Sequence, residues 1–236
     1  MSESKAFPAW AWVGCGCLGA LGAIAVLAVA IGVWGVQKAR QFGEEIADPG
    51  ERAKRVLTVL RASEMPEGYH PVVALSVPLL LDVAVLSDLP PDETGRPPEF
   101  GEHGFIYVSY PAFGRNQREI RDFFEGKRDD LDELGRHRID LDLDERISNG
   151  KISREADDVL WVSYRGTIDT DDAGRSKEGL MALLLIDCGG DSRHRFGVWL
   201  GPDPDPEADA ADLDLSGSVS DPEAIEHFLS PIHPCR

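Results

Sequence analysis

Outside one apolar run near its start, this chain of 236 residues has only two cysteines, Cys188 and Cys235. Basic residues are also scarce, with 24 lysines and arginines against 42 aspartates and glutamates and a formal charge of −18. Nucleic-acid binding needs a basic surface that neutralises phosphates, so this balance excludes it. Several motifs are missing. There is no Walker-type phosphate loop and no dinucleotide-binding glycine turn between a strand and a helix. No G-x-S-x-G occurs either, because the serines of "LSGSVS" (215–220) flank a glycine without that frame. Acids such as Asp140, Asp142 and Asp144 alternate in a charged stretch, where a perturbed pKa would require burial. The sequence therefore predicts a protein that is not an enzyme and takes no cofactor.

What the chain does have is "AWAWVGCGCLGALGAIAVLAVAIGVWGV", residues 9–36, without one charged side chain. As a helix this run would span roughly 42 Å, more than the ~30 Å hydrocarbon core of a bilayer requires. A secretory signal has a shorter apolar core and a small-residue cleavage site, and "GVQKAR" (35–40) offers no such site. In a lipoprotein the apolar run precedes the modified cysteine, whereas here most of it follows Cys15 and Cys17. The stretch reads as a retained transmembrane helix, with Trp10, Trp12 and Trp34 near its two ends where indoles favour the interface. Gly16, Gly19, Ala20, Gly22 and Ala23 would let a second helix approach closely, which makes self-association through this face an expectation.

Two signals disagree on orientation. Lys38, Arg40, Arg52, Lys54 and Arg55 follow the run, which by the positive-inside rule would put the large domain in the cytoplasm. Long domains translocate largely regardless of charge, and a very short amino-terminal tail ordinarily stays inside. The expectation is a single-pass protein of the bacterial inner membrane with its domain on the periplasmic, extracytoplasmic side; a cytoplasmic-facing domain is the alternative. Residues 1–36 carry one acid and one base, and residues 37–61 six bases and four acids, which leaves −20 on residues 62–236. A basic stub beside anionic lipid and an acidic body beyond it suit that placement.

The expected organisation is a tail (1–8), the transmembrane helix (9–36), a juxtamembrane stub with a short amphipathic helix (37–64) and an acidic globular domain (65–236). In the short helix, about residues 51–63, Ala53, Val56, Leu57 and Leu60 share one face. Strand-like runs follow. "VVALSV" (72–77) and "LLLDVAVLS" (79–87) flank Pro78, which predicts a bend or an edge. "GFIYVSY" (104–110) and "VLWVSYRGTI" (159–168) are aromatic and β-branched. "LMALLLIDC" (180–188) and "HRFGVWL" (194–200) are joined hairpin-fashion by "GGDSR", and Leu180 to Ile186 reads as a central strand buried on both faces. "NQREIRDFFEG" offers Ile120, Phe123 and Phe124 to a core. "DPEAIEHFLSPI" starts with Asp221 as N-cap and Pro222 at N1, and offers Ile225, Phe228 and Leu229. "DDLDELGRHRIDLDLDERISNG" (129–150) and "GPDPDPEADAADLD" (201–214) read as charged loops. The fold class is α+β, an antiparallel sheet with helices packed on one face.

Strands, the helix "NQREIRDFFEGK", a meander of strands and a last helix "AIEHFLSPI" follow one another in an order that resembles the PsbP-type fold. That resemblance covers residues 65–235 and implies an α-β-α sandwich and an accessory or assembly role. The two-proline opening and the long acidic loop depart from that pattern. The whole chain also resembles bacterial membrane-anchored proteins.

Cys188 and Cys235 would form a disulfide pinning the C-terminal tail to the sheet in an exported domain, and remain separate thiols in a cytoplasmic one. A third reading joins them with His194, His227 and His233 as a tetrahedral zinc set, although C-x5-H and H-x5-H-x-C match none of the usual ligand spacings. "DTDDAGRSKEGL" (169–180) begins like a calcium loop at Asp169, Asp171 and Gly174. It fails at Ala173, Lys177 and Leu180, the last standing where a bidentate acid is required. Tyr107, Trp161, Tyr164 and Trp199 could line a ligand pocket or fill the core. Two functions follow as expectations: an envelope domain that binds or helps assemble a protein partner, and a membrane-tethered sensor of a small ligand or metal.

Overall fold

The structure is a computed structural model that describes residues 48–92, 95, 96, 98, 101–112, 117–128, 141–169, 176–190 and 192–235. The expected anchor at 9–36, with its tryptophans and small-residue face, lies outside them. Among the described residues no helix is long and apolar enough to cross a membrane.

The first described helix, α1 (Pro49–Leu60), begins where Asp48 accepts hydrogen bonds from the N–H groups of Gly50 and Glu51 at 2.8 and 3.1 Å. Pro49-Gly50 reads in the sequence as a break between the stub and a helix starting at about residue 51; the pair instead opens the helix, because a missing donor at the first position costs nothing. Arg61, left-handed at φ 50°, ends it. Three strands follow: β1 (His70–Val77), β2 (Leu81–Ser87) and β3 (Gly104–Pro111). Then come α2 (Gln117–Phe124), β4 (Leu141–Ser153), β5 (Asp158–Asp169), β6 (Ser176–Asp187), β7 (Arg193–Gly201), a 3-10 turn (Ala210–Asp212) and α3 (Pro222–Leu229). The strands form one antiparallel sheet in the order β1-β2-β3-β7-β6-β5-β4. The α+β expectation holds at this level.

Period-two alternation divides the sheet into two apolar faces. On one, Ala84, Leu86, Phe105, Tyr107, Trp161, Leu184 and Trp199 pack with Val56 and Leu60 of α1 and with Ile225, Phe228 and Leu229 of α3. On the other, Leu160, Val162, Tyr164, Leu183, Leu185, Phe196 and Val198 pack with Ile120, Phe123 and Phe124 of α2. Helices therefore cover both faces, which corrects the one-face expectation. Strands β5 to β7 carry large apolar residues on both sides, so a single helical layer would leave half of them in water. Leu180 to Ile186 is buried throughout, as expected, but the middle strand of the seven is its hairpin partner β7. There Gly197 is required by packing, since a Cβ would stand 2.8 Å from Phe105 Cε2 and 3.2 Å from Leu184 Cδ1.

Strand β4 is a second correction, for residues 141–150 read as loop. The acids of this stretch weaken strand propensity, yet an edge strand can carry them toward solvent. β4 breaks register against β5 between Leu143 and Glu145 and again between Arg146 and Ser148.

The long β2–β3 connection is fastened at its middle and where its two ends meet. Arg52, a buried arginine of α1, donates from both terminal nitrogens to the Gly95 carbonyl at 3.2 Å. Asp88 accepts from the N–H groups of Glu102 and His103 at 2.9 and 3.0 Å. Burial pushes the Asp88 carboxyl up, but these backbone donors and His103 outweigh it and hold the group below its ordinary value. A carboxyl with a depressed folded pKa contributes stability above the unfolded value of about 3.9 and loses it as pH falls through the folded value. Asp88→Asn is expected to flatten the acid limb of a stability-versus-pH curve below about pH 4 while leaving its neutral region parallel to wild type.

Candidate functional site

Two surface features stand apart from the packed layers. The first is the outer end of the β1–β2 hairpin. Val77 and Leu81 pair across it, and the Leu80 N–H donates to the Val77 carbonyl at 3.0 Å. Pro78 holds the second turn position and Leu79 the third, at φ 67°. This is the arrangement of a type II turn, which favours glycine or asparagine where Leu79 stands. A left-handed leucine costs roughly 1–2 kcal/mol relative to ordinary backbone. It gains no burial in return, being 85% exposed, with Leu80 59% and Leu75 38% exposed beside it. Leu79→Asn is expected to raise the unfolding free energy by about 1 kcal/mol, read as a shifted denaturation midpoint at unchanged slope. An unchanged midpoint would mean that the turn stores no strain.

Strand β1 is also a bare edge. Among the described residues it pairs only with β2, and "HPVVALSV" holds no Asp, Glu, Lys or Arg. The opposite edge, β4, presents Asp144, Glu145 and Lys151 to solvent. Natural sheets blunt exposed edges with charge, proline and bulges, and here β4 carries charge along its length while β1 has Pro71 and a register shift at its start and nothing of the kind from Val73 to Val77.

The second feature is a cleft of about 560 Å³ between the first half of α2 and the β6–β7 connection. Ile120 and Leu185 contribute apolar wall, and Arg118, Arg121, Arg193 and His194 bring basic groups around it with Asp187. Arg121 forms an ion pair with Asp187. Arg193 donates to Asp82 at 2.8 Å and to the Ser109 hydroxyl at 3.0 Å. Cys188 forms part of the same wall.

Cys188 and Cys235 are paired at disulfide distance, with their Cα atoms 5.3 Å apart. The bond closes the C-terminal tail, which leaves α3, onto the end of β6. The zinc set is not assembled. Its two sulfurs face each other, His194 lies against the rings of Tyr110 and Phe196, and exposed His227 stands 3.9 Å from Glu67. His233 is half-buried in the tail. Among the described residues no group of three His, Cys, Asp or Glu could hold a metal. Nor do the four aromatics converge on a pocket. Tyr107, Trp161 and Trp199 are buried in one layer and Tyr164 in the other. Trp199 stacks on Phe228 and donates from Nε1 to the Tyr69 hydroxyl at 2.6 Å, and burial pushes that hydroxyl up to about 12.

The calcium-like stretch runs into β6 from Ser176, so its second half is strand, while 170–175 lie outside the described residues. The proline-acid loop is tied down by Arg165, which donates to Asp203 at 2.6 Å and to the carbonyls of Asp205 and Ala208. Asp203 and Asp205 accept from backbone N–H groups two residues on, at 3.1 and 3.3 Å, so these acids shape their own loop.

The turn at Leu79 was within reach of sequence reading, since Pro78 is a usual second residue of a type II turn. The arginine cleft was not, because it joins α2 to strands far away in the chain. Compared with known proteins, the chain matches no family model and no curated protein sequence.

Proposed function

We propose that this chain is a non-enzymatic, membrane-tethered interaction domain, held at the bacterial inner membrane by residues 9–36 with its sheet on the extracytoplasmic side. Its partner is a protein that lays an extended segment along β1, adding a strand to the sheet. The observation that carries the reading is the β1–β2 hairpin. Its edge is uncharged while the opposite edge is charged, and it ends in leucines held exposed in a disfavoured turn. Strand addition supplies affinity through main-chain hydrogen bonds, and apolar side chains such as Leu79 and Leu80 supply contact area. Strain retained where it buries nothing is more often found at binding sites than elsewhere. The Cys188–Cys235 pairing supports the compartment, because disulfides persist in oxidising surroundings. The PsbP-type resemblance implies an assembly or accessory role, which agrees with this reading.

A photo-crosslinking residue placed at position 79 of the full chain, in cells, is expected to yield a discrete adduct with a second protein. The same residue at position 151 on β4 is expected to yield none. No adduct from position 79, or the same adducts from both edges, would contradict the reading; a product made of two copies of this chain would replace the partner by self-association. A second reading, a small-ligand sensor, is favoured by one observation, the 560 Å³ cleft, which falls in the size range of small-molecule sites.

A further inference from the structure

We propose that the cleft between α2 and the β6–β7 connection is a site for a small anion carrying a carboxylate or phosphate group. This goes beyond partner binding at β1, since the two places share no residue. Residues 62–236 carry a formal −20, so random placement would surround any cleft with acids. Among the described residues, this one instead gathers three arginines and a histidine with one aspartate. Two of the arginines are occupied, Arg121 by Asp187 and Arg193 by Asp82 and Ser109. Arg118 is exposed and, among the described residues, makes no ion pair or hydrogen bond. Its guanidinium fork matches a carboxylate or phosphate in two parallel hydrogen bonds. Arg121 lies one turn further along the same helix, close enough in register for both to meet one ligand.

The disulfide enters this site as a positioning element. Cys188 stands in the wall, and its bond to Cys235 fixes the end of β6 from which the β6–β7 connection starts. Opening that bond frees one wall, so anion affinity is expected to fall on reduction. The site would then report the redox state of the compartment.

The test is an NMR titration of the 15N-labelled full chain in detergent micelles with inorganic phosphate and, separately, with succinate, following the amides of Gly189, Gly190 and Ser192. Saturable shifts are expected with at least one probe, and whichever binds more tightly identifies the head group. Arg118→Ala is expected to weaken that probe at least tenfold, as loss of a charge-assisted fork does. Lys54→Ala, a control on α1 that removes another exposed cation, is expected to leave affinity within twofold. Reduction is expected to weaken binding while the sheet amides keep their positions. No saturable shift with either probe, or equal losses in the two variants, would overturn the proposal. Unchanged affinity on reduction would overturn the role given to the disulfide.

Discussion

Replacing Cys188 by serine is expected to lower the unfolding free energy by about 4 kcal/mol, the chain-entropy value for a loop closed across 47 residues. That closure spans the β6–β7 connection, β7, the proline-acid loop and α3, so the unfolded chain gains freedom over about a fifth of its length when the bond is absent. The native state loses no apolar burial, because the tail stays held by the buried Leu229 and Ile232 and by a bridge between Ala62 and Ile232. Urea unfolding of the full chain, with Cys15 and Cys17 already changed to alanine, reads the effect as a lower midpoint. Wild type under reductant should coincide with the serine variant. If neither shifts the midpoint, the tail is held by packing alone.

Arg154→Ala is expected to cost about 3–5 kcal/mol, the range for breaking a buried ion pair from one side. Arg154 grips Asp157 through two hydrogen bonds of 2.6 and 2.8 Å at the β4–β5 turn. It also donates to the Leu229 and Ile232 carbonyls at 2.7 and 3.2 Å, adding to the Ile232 N–H that Leu229 already accepts at 3.0 Å and tying the end of α3 to the β4–β5 turn. Its removal strands the Asp157 carboxylate, whose side chain is only 2% exposed, and takes one donor from each of the two carbonyls. Adding Asp157→Ala to Arg154→Ala should recover at least 1 kcal/mol of the loss, since the stranded charge then disappears. A double variant as weak as the sum of the two single ones would show that the carbonyl contacts, and not the ion pair, carry the effect.

Local pattern carried the sequence reading a long way. Asp221 and Pro222 announce α3, and its apolar side chains Ile225, Phe228 and Leu229 are buried as their spacing requires. The unbroken run Leu180 to Ile186 states its own burial on both faces, and "GGDSR" its hairpin. The same run implies more. A strand apolar on both sides needs two helical layers, so α2 must take the face opposite α1 and α3. Strand β4 escaped because its charges satisfy solvent and its register breaks twice, which leaves no long alternation to read. Arg52, Arg154 and Arg165 were illegible for a different reason. Each acts on backbone carbonyls of another segment, and the sequence of a carbonyl's own residue says nothing about what donates to it. Of the candidate site residues, Cys188 and Cys235 came together as the pair that the sequence offered, helped by there being just two cysteines beyond residue 36. The arginine cleft depends on α2 lying over the β6–β7 end of the sheet, a tertiary fact with no local signature.

The account stands on an extracytoplasmic domain held by its disulfide, and thiol labelling tests that most directly. Intact and lysed spheroplasts carrying the full chain, with Cys15 and Cys17 changed to alanine, would be treated with a membrane-impermeant maleimide with and without prior reduction. The account predicts labelling of intact spheroplasts only after reduction. Labelling that requires lysis and no reductant would place the domain in the cytoplasm with two free thiols, and would contradict it.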